Sequence, residues 1–546
     1  MTPCDPPINP YESDASDDPI RALLRHVVSR VIPVAPVPGT DHAHPKRRAS
    51  PEQLRACTLP WRLLSRGHAL LRHQLLTAAD SPLLPDARRA QLRFVAQLVA
   101  DASAPANYLL TNPDALRLAV SSRGASVVRG TSNFLDDVCR RNGRPAKMRP
   151  GHFRLGVTLA ATPGKVVHRN AFMELLQYEP QTPTVRTVPL LLIPAWVNKY
   201  YIYDLAPGRS LVEFAVRSGY NVFCLSLRDP RSGEALPDLD TYLTHCLVPA
   251  LDVVRDITAT SRAHLVGVCA GGLLAVALAA WLKEKGQPPA ASLSLLNTAL
   301  TAPGPAGTGP FPGSASPREI MALSWLLARD RHLISGRRLG LLFDLLRGDA
   351  TVWGPLIDGW LFGERAPGFD LLAWSEDTID MPRAVFEQTL RLATEDTLAK
   401  NRLTLADTPV RPSAVLAADT FVVAAERDHL VPWDIVYRSA RLLGDDCTFR
   451  LVPSGHMGAI VSPPRPGAQH LACTGPLPLA STDWLRTAEL REESWWEDWS
   501  RWLECRSGPL VPARASGNRR HPPGTNAPGR YAAHGWPRHL LAEELR

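Results

Sequence analysis

The densest group of chemically suggestive residues is Gly267-Val268-Cys269-Ala270-Gly271-Gly272. An apolar run, His264–Val268, leads into it, and a second, residues 273–282, follows. That order predicts a strand, a sharp turn and a helix, with a thiol at the apex where such nucleophile elbows usually carry serine. Glycines two before and two after the thiol avoid clashes and let its side chain stand clear of the sheet. The backbone N–H of Ala270 then opens the helix, where a developing oxyanion would find donors. The competing reading is a small buried cysteine in a helix-packing turn. A thiolate paired with imidazole is a strong nucleophile. It would take an acyl group from a thioester at little thermodynamic cost and keep that group activated for transfer to an alcohol. The elbow therefore favours acyl transfer, while a cysteine hydrolase on the same scaffold stays open.

Two downstream residues complete a catalytic set. The apolar run Thr420–Ala425 ends in Glu426-Arg427-Asp428-His429-Leu430-Val431-Pro432-Trp433, which puts Asp428 just past a strand's carboxyl end. The run Thr448–Val452 ends in Pro453-Ser454-Gly455-His456-Met457, which puts His456 in the next loop. In α/β-hydrolase sheets the nucleophile, the acid and the histidine follow in this chain order. Taken singly, Asp428 reads equally well as a helix N-cap and His456 as a satisfied loop histidine. All three in order, each at a strand end, predict one triad. Glu426 and His429 are the nearest rivals and could support the triad from behind.

Around these residues, short apolar runs at 188–194, 221–227, 264–268, 292–297, 420–425 and 448–452 are each bounded by turn residues. Helical patterns fall between several of them, as at 210–217 and 272–285. Alternating strands and helices predict an α/β protein: a mostly parallel central sheet covered on both faces. Upstream, Leu92, Val95, Leu98 and Val99 recur at helical spacing. Between 297 and 419 the rhythm breaks. A Pro/Gly-rich stretch, 302–317, leads into Leu- and Trp-rich helical patterns at 320–327, 337–346 and 352–362. Insertions that long inside a domain are functional or disordered, and this one reads as a cap over the sheet's catalytic edge. The expected organisation is a disordered segment 1–50, a helical N-terminal domain 51–155, a sheet-bearing core 156–300 and 406–505, the cap insertion 301–405, and a flexible basic tail 506–546.

Composition bounds these readings. With 45% hydrophobic residues in 546, the chain can bury a sizeable core and is not wholly disordered. The nine cysteines form no CxxC pair and suit reduced thiols in a cytoplasm. The Pro-rich acidic start lacks the pattern of a secretory signal. Residues 265–282, roughly 18 without charge, imitate a membrane span, but their glycines favour strand, turn and buried helix. Residues 506–546 hold seven arginines against two glutamates and supply most of the net charge of +8, so the remainder is near neutral and no nucleic-acid partner is expected. No metal-ligand spacing, Walker loop or dinucleotide fingerprint occurs, so no metal or cofactor is expected.

Beyond these residues, several blocks resemble the polyhydroxyalkanoate synthases, chiefly the class I type. They are Asn107-Tyr108-Leu109-Leu110-Thr111-Asn112-Pro113, residues 153–180, and Pro194-Ala195-Trp196-Val197-Asn198-Lys199-Tyr200-Tyr201 with Ile202-Tyr203-Asp204-Leu205. The elbow itself, Phe369-Asp370-Leu371-Leu372-Ala373-Trp374, the acid and histidine loops, Ser494-Trp495-Trp496 with Trp499, and Ala527-Pro528-Gly529-Arg530-Tyr531 complete the match. Coverage runs from about 100 to 530. The resemblance implies an α/β-hydrolase fold and an acyltransferase that polymerises (R)-3-hydroxyacyl-CoA, releasing CoA and holding the chain as a thioester on Cys269. It implies that His456 deprotonates the thiol, that Asp428 orients His456 or activates the incoming hydroxyl, and that Ala270 and Trp196 supply oxyanion donors. Asn198, Tyr200 and His429 are implied as further substrate-binding residues. A homodimer at the surface of cytoplasmic polymer granules is implied as well. The chain departs from the family's usual pattern at Pro194-Ala195, at Ser226-Leu227-Arg228-Asp229-Pro230 and at Trp353-Gly354-Pro355, where Pro355 should disturb a helix. Two other readings stay open: a thioesterase or depolymerase on the same fold, and a weakly active paralogue that binds granules or a partner.

Overall fold

The computed structural model describes residues 59–82, 86–141, 143–148, 151–302, 327–345, 349–366, 368–415 and 419–534. The expected disordered start, most of the Pro/Gly-rich stretch, the helical pattern at 320–326 and the last part of the tail, 535–546, lie outside them. The described residues divide into two compact units, one within 59–77, 96–146 and 347–365, the other within 78–95, 147–346 and 366–534.

The larger unit is organised by a ten-stranded sheet. In chain order its strands are β1 (Gly164–Arg169), β2 (Met173–Tyr178), β3 (Leu190–Ile193), β4 (Val222–Leu227), β5 (His264–Val268), β6 (Ser292–Leu296), β7 (Thr420–Ala425), β8 (Thr448–Val452), β9 (His470–Ala472) and β10 (Glu489–Arg491). They lie in the order β1-β2-β4-β3-β5-β6-β7-β8-β9-β10. The pairings from β4 to β8 are all parallel, and antiparallel strands flank them on both sides. The central strands are buried along their whole length, which is why they read as continuous apolar runs. Their side chains alternate between two cores. Leu191, Leu265, Leu293 and Val422 face one, and Leu190, Val266, Leu296 and Val423 face the other. Residues 265–282 are strand, turn and buried helix, as their glycines predict. Among the described residues no helix is long and apolar enough to cross a membrane.

The smaller unit is helical. It takes most of the helix α1 (Leu59–Ala79), the end of α2 (Asp86–Ala102), which carries the predicted spacing from Leu92 to Val99, and the helices α3 (Pro113–Ser121) and α4 (Ala125–Arg141). Asn112 caps α3 by accepting from the backbone of Asp114 and Ala115, and Pro113 follows at the first position.

Two sequence expectations are corrected here. First, the insertion at 301–405 is not one subdomain. Residues 349–361 are helical and pack on α4: Gly130 lies so close to the Trp360 carbonyl that no side chain would fit, and Trp360 Nε1 donates to Asp137 at 2.7 Å. Wide π-helical turns on either side of Gly354–Leu356 keep this stretch helical despite Pro355, which sits where a helix start needs no N–H. Second, residues 506–534 are not a flexible tail. Leu510–Pro512 pairs antiparallel with Thr184–Arg186. Arg506 and Arg520 meet Asp419 and Asp256 at 2.9 and 3.0 Å, so part of the excess positive charge is neutralised within the chain. The reason lies in distance along the chain, because every one of these anchors is remote in sequence.

Candidate active site

The helix α5 (Ala270–Glu284) starts directly after Cys269, which carries φ 50° and ψ −120°. A non-glycine residue in that region is strained, by about 1–3 kcal/mol, and such strain persists where the surroundings over-determine it. Here they do. A Cβ on Gly267 would meet the Gly272 Cα at 2.5 Å, and one on Gly271 would run into the carbonyls of Ile193 and Pro194. The Cys269 N–H donates to Leu296 at 2.8 Å, and the Thr298 hydroxyl donates to the Cys269 carbonyl at 3.1 Å. Cys269 is left half-buried at the carboxyl end of β5, the first residue of α5 offers its N–H beside it, and the helix dipole favours negative charge there.

The loops after β7 and β8 are tied to one another. Glu426 N–H donates to Val452 and Arg427 N–H to Ser454, at 2.8 and 3.0 Å. The tie brings Asp428 and His456 together, and His456 Nδ1 and Asp428 Oδ2 lie 2.5 Å apart. The other Asp428 oxygen accepts from the N–H groups of Leu430 and Val431 at 2.8 and 3.0 Å, which fixes the carboxylate plane. Asn297, in the left-handed region after β6, donates from its side chain to the His456 carbonyl at 2.5 Å. Nε2 of His456 is buried, and among the described residues no hydrogen-bond partner is aligned with it. Burial alone would push this imidazole down, but the Asp428 carboxylate and then the Cys269 sulfur outweigh it and raise its pKa to about 10. An imidazole of raised basicity keeps a proton taken from the neighbouring thiol, which favours a thiolate beside an imidazolium.

The remaining predicted residues are distributed differently. Ala270 opens α5 beside the thiol. Trp196 is buried in the loop after β3, its indole stacked on Tyr242 at 6.0 Å with Nε1 unpartnered among the described residues. Asn198 bridges by its backbone to Thr378 of the insertion. His429 is half-buried directly after Asp428. Tyr200 is a core residue, 2% exposed, in the company of Tyr178, Asp204 and Cys224, and burial raises its phenol pKa well above the ordinary value. The structure therefore places Tyr200 as packing for the loop. Sequence reasoning missed Asn297, Thr298 and Tyr203. The last donates from its hydroxyl to both Ile193 and Val266, strapping the loop stem to the strand before the elbow. Asn at the end of an apolar run was a readable sign of a left-handed residue; the other two carry no local signal.

Residues 61–215 match the family described as poly-beta-hydroxybutyrate polymerase N-terminus, and residues 188–463 match the alpha/beta hydrolase fold. The chain is 34% identical over 481 residues to the poly(3-hydroxyalkanoate) polymerase subunit PhaC of Cupriavidus necator, covering 87% of this chain and 80% of that protein. It is 36% identical over 459 residues to poly(3-hydroxyalkanoate) polymerase 2 of Ectopseudomonas oleovorans, covering 82% of this chain and 79% of that one. A strained thiol at a strand end, the ordered acid and histidine loops, and similarity spanning both halves of the sheet lead to one assignment: the chain belongs to the poly(3-hydroxyalkanoate) polymerase family.

Proposed function

We propose that this protein polymerises (R)-3-hydroxyacyl groups from CoA thioesters and carries them as thioesters on Cys269. The observation that carries the reading is the short contact from Asp428 to His456 Nδ1, with Nε2 left for the strained Cys269 sulfur. His456 takes the thiol proton, and the sulfur attacks the thioester carbonyl. The oxyanion forms against the Ala270 N–H, with the Trp196 backbone N–H as second donor. The carbon–sulfur bond to CoA breaks, and the CoA thiolate leaves with the proton that His456 took. The 3-hydroxyl of a further hydroxyacyl-CoA then gives its proton to His456 and attacks the Cys269 thioester. The bond from the acyl carbon to the Cys269 sulfur breaks, the sulfur recovers the proton from His456, and the chain, one ester longer and now a CoA thioester, reloads onto Cys269 with release of one CoA. Asp428 is 3% exposed, and both its oxygens are already engaged, which favours an orienting role over removal of the hydroxyl proton.

The test is CoA release paired with polymer detection, using four- and eight-carbon 3-hydroxyacyl-CoA. Wild type should give both products, and Cys269→Ala neither. Free hydroxy acid in place of polymer would assign a thioesterase or depolymerase. Granule binding that survives Cys269→Ala without any CoA release would assign a binding paralogue. The homodimer and the cytoplasmic granule surface belong to the same proposal, and sedimentation and fractionation of polymer-filled cells test them.

A further inference from the structure

The loop between β3 and the helix Leu211–Arg217 carries Trp196 and lies on the elbow. Its stem, Ile193 and Pro194, fills the space where a Gly271 side chain would be, and Tyr203 ties its far end back to Ile193 and Val266. Between these ends sits Lys199, 4% exposed. A buried ammonium needs partners, and this one has an unusual set. Its Nζ donates to the carbonyls of Tyr531 and His534 at 3.1 and 3.0 Å, and it stands in the field of Asp229 and Asp377. Its own carbonyl accepts from Trp374 Nε1 at 2.8 Å. Its neighbour Asn198 bridges to Thr378, and Tyr201 donates to Asp377 at 2.8 Å.

The carbonyls that hold Lys199 belong to the strap Gly529–Ala533 and the residue after it. The strap's other end is gripped by Glu174, which is fully buried, pairs with Arg169 and accepts at its carboxylate from the Arg530 and Tyr531 N–H groups at 3.3 and 3.0 Å. Gly529 makes this approach possible, since at φ 81° any Cβ would strike the Glu174 carboxylate. An anion at the first turn and a cation at the last carbonyls give the strap a fixed place and direction. None of these partners is Cys269, His456 or Asp428.

We infer that Lys199 is a positioning residue: clamped between the C-terminal strap and the base of the insertion, it holds the Trp196 loop at the distance from Cys269 that acyl transfer needs. The inference rests on the reading of Cys269 as the acyl carrier and of Trp196 as an oxyanion donor. It separates two properties of the site. The reactivity of the thiol depends on His456, whereas stabilisation of the tetrahedral oxyanion depends on the loop.

The experiment uses two full-length variants, Lys199→Met, which removes the clamp, and Gly529→Val, which displaces the strap without altering the loop. Each is measured for kcat and KM of CoA release, for acylation by p-nitrophenyl butyrate, and for the rate of Cys269 alkylation by iodoacetamide, which needs no oxyanion donor. All are read below the variant's melting temperature. Both variants should lose about 10- to 100-fold in kcat and in acylation, because small misplacements of an oxyanion donor cost that much, with KM and the alkylation rate within about twofold of wild type. Unchanged acylation in folded variants overturns the inference. So does an alkylation rate that falls in step with kcat, since the damage then lies at the thiol and histidine. Should Lys199→Met fail to fold, Gly529→Val decides alone. A wild type that releases no CoA yet is acylated by the nitrophenyl ester refutes the polymerase reading and leaves the positioning inference to be judged on the ester.

Discussion

Replacing Asp428 with asparagine isolates what the buried carboxylate does. One Asp428 oxygen accepts from two backbone N–H groups, those of Leu430 and Val431, and the other faces His456 Nδ1. In Asp428→Asn the side chain has one oxygen and one NH2. Turning the NH2 towards Leu430 and Val431 would set donor against two donors, so the oxygen stays there and the NH2 faces His456. Nδ1 must then accept, the ring proton moves to Nε2, and the base that should receive the Cys269 proton is occupied. In a triad the wrong tautomer costs on the order of 10⁴-fold in kcat, roughly 5 kcal/mol of transition-state stabilisation. Stability should change far less, because both backbone donors keep their acceptor; Asp428→Ala, which strands them, should lose about 1–3 kcal/mol more than Asp428→Asn. The assay is steady-state CoA release under saturating substrate at fixed pH, with melting temperature as control. A folded Asp428→Asn protein that keeps kcat within about tenfold of wild type would refute the tautomer argument.

Three further outcomes are expected. The raised pKa of His456, about 10 against 6.5, means that the native state holds its proton where the unfolded chain has lost it, so that this contribution is complete below the unfolded value and disappears as pH rises to about 10; denaturant unfolding of wild type should weaken over that window more than that of Asp428→Asn. Asp377 has its pKa raised from 3.8 to about 7 by burial, against the opposing effect of Lys199 and the Tyr201 hydrogen bond, so wild type should lose stability between those pH values; the melting-temperature difference of Asp377→Asn relative to wild type should rise from pH 4 to pH 8, and a flat difference would show that the carboxyl titrates normally. A Cβ at Gly272 would collide with the Thr298 hydroxyl and methyl; Gly272→Ala should cost about 1–3 kcal/mol by overpacking, and Thr298→Ala in the same chain should restore part of it, as read by urea unfolding.

The candidate site was legible because its residues stand at places that local pattern marks. Cys269, Asp428 and His456 each follow an apolar run, and those runs are β5, β7 and β8 with the bounds that the turn residues suggest. The parallel register aligns the carboxyl ends of these strands, and at such ends loops collect their chemistry. Other features carried no such mark. Residues 506–534 look like a polar, Pro-rich end, and their order comes from partners such as Glu174, Asp256, His264 and Lys199 hundreds of positions upstream. The stretch around Trp360 reads as one more helix of the insertion, and its tertiary contacts, with Gly130, Asn133, Phe134 and Asp137 among them, assign it to the helical unit. Tyr200 lies in a block with functional resemblance and turns out to be core, because a tyrosine's burial is set by what packs around it.

What belonged to the sequence by itself was the alternation of strand and helix, the elbow and the order of thiol, acid and base, since apolar period, turn residues and chain order are local properties. What tertiary structure alone decided was which remote groups meet: the carboxylate held by two N–H groups against His456, the division of the insertion, and the strap that seats Lys199. Contacts between distant segments depend on how whole surfaces fit and on which buried charges find partners, and no short window of residues encodes either.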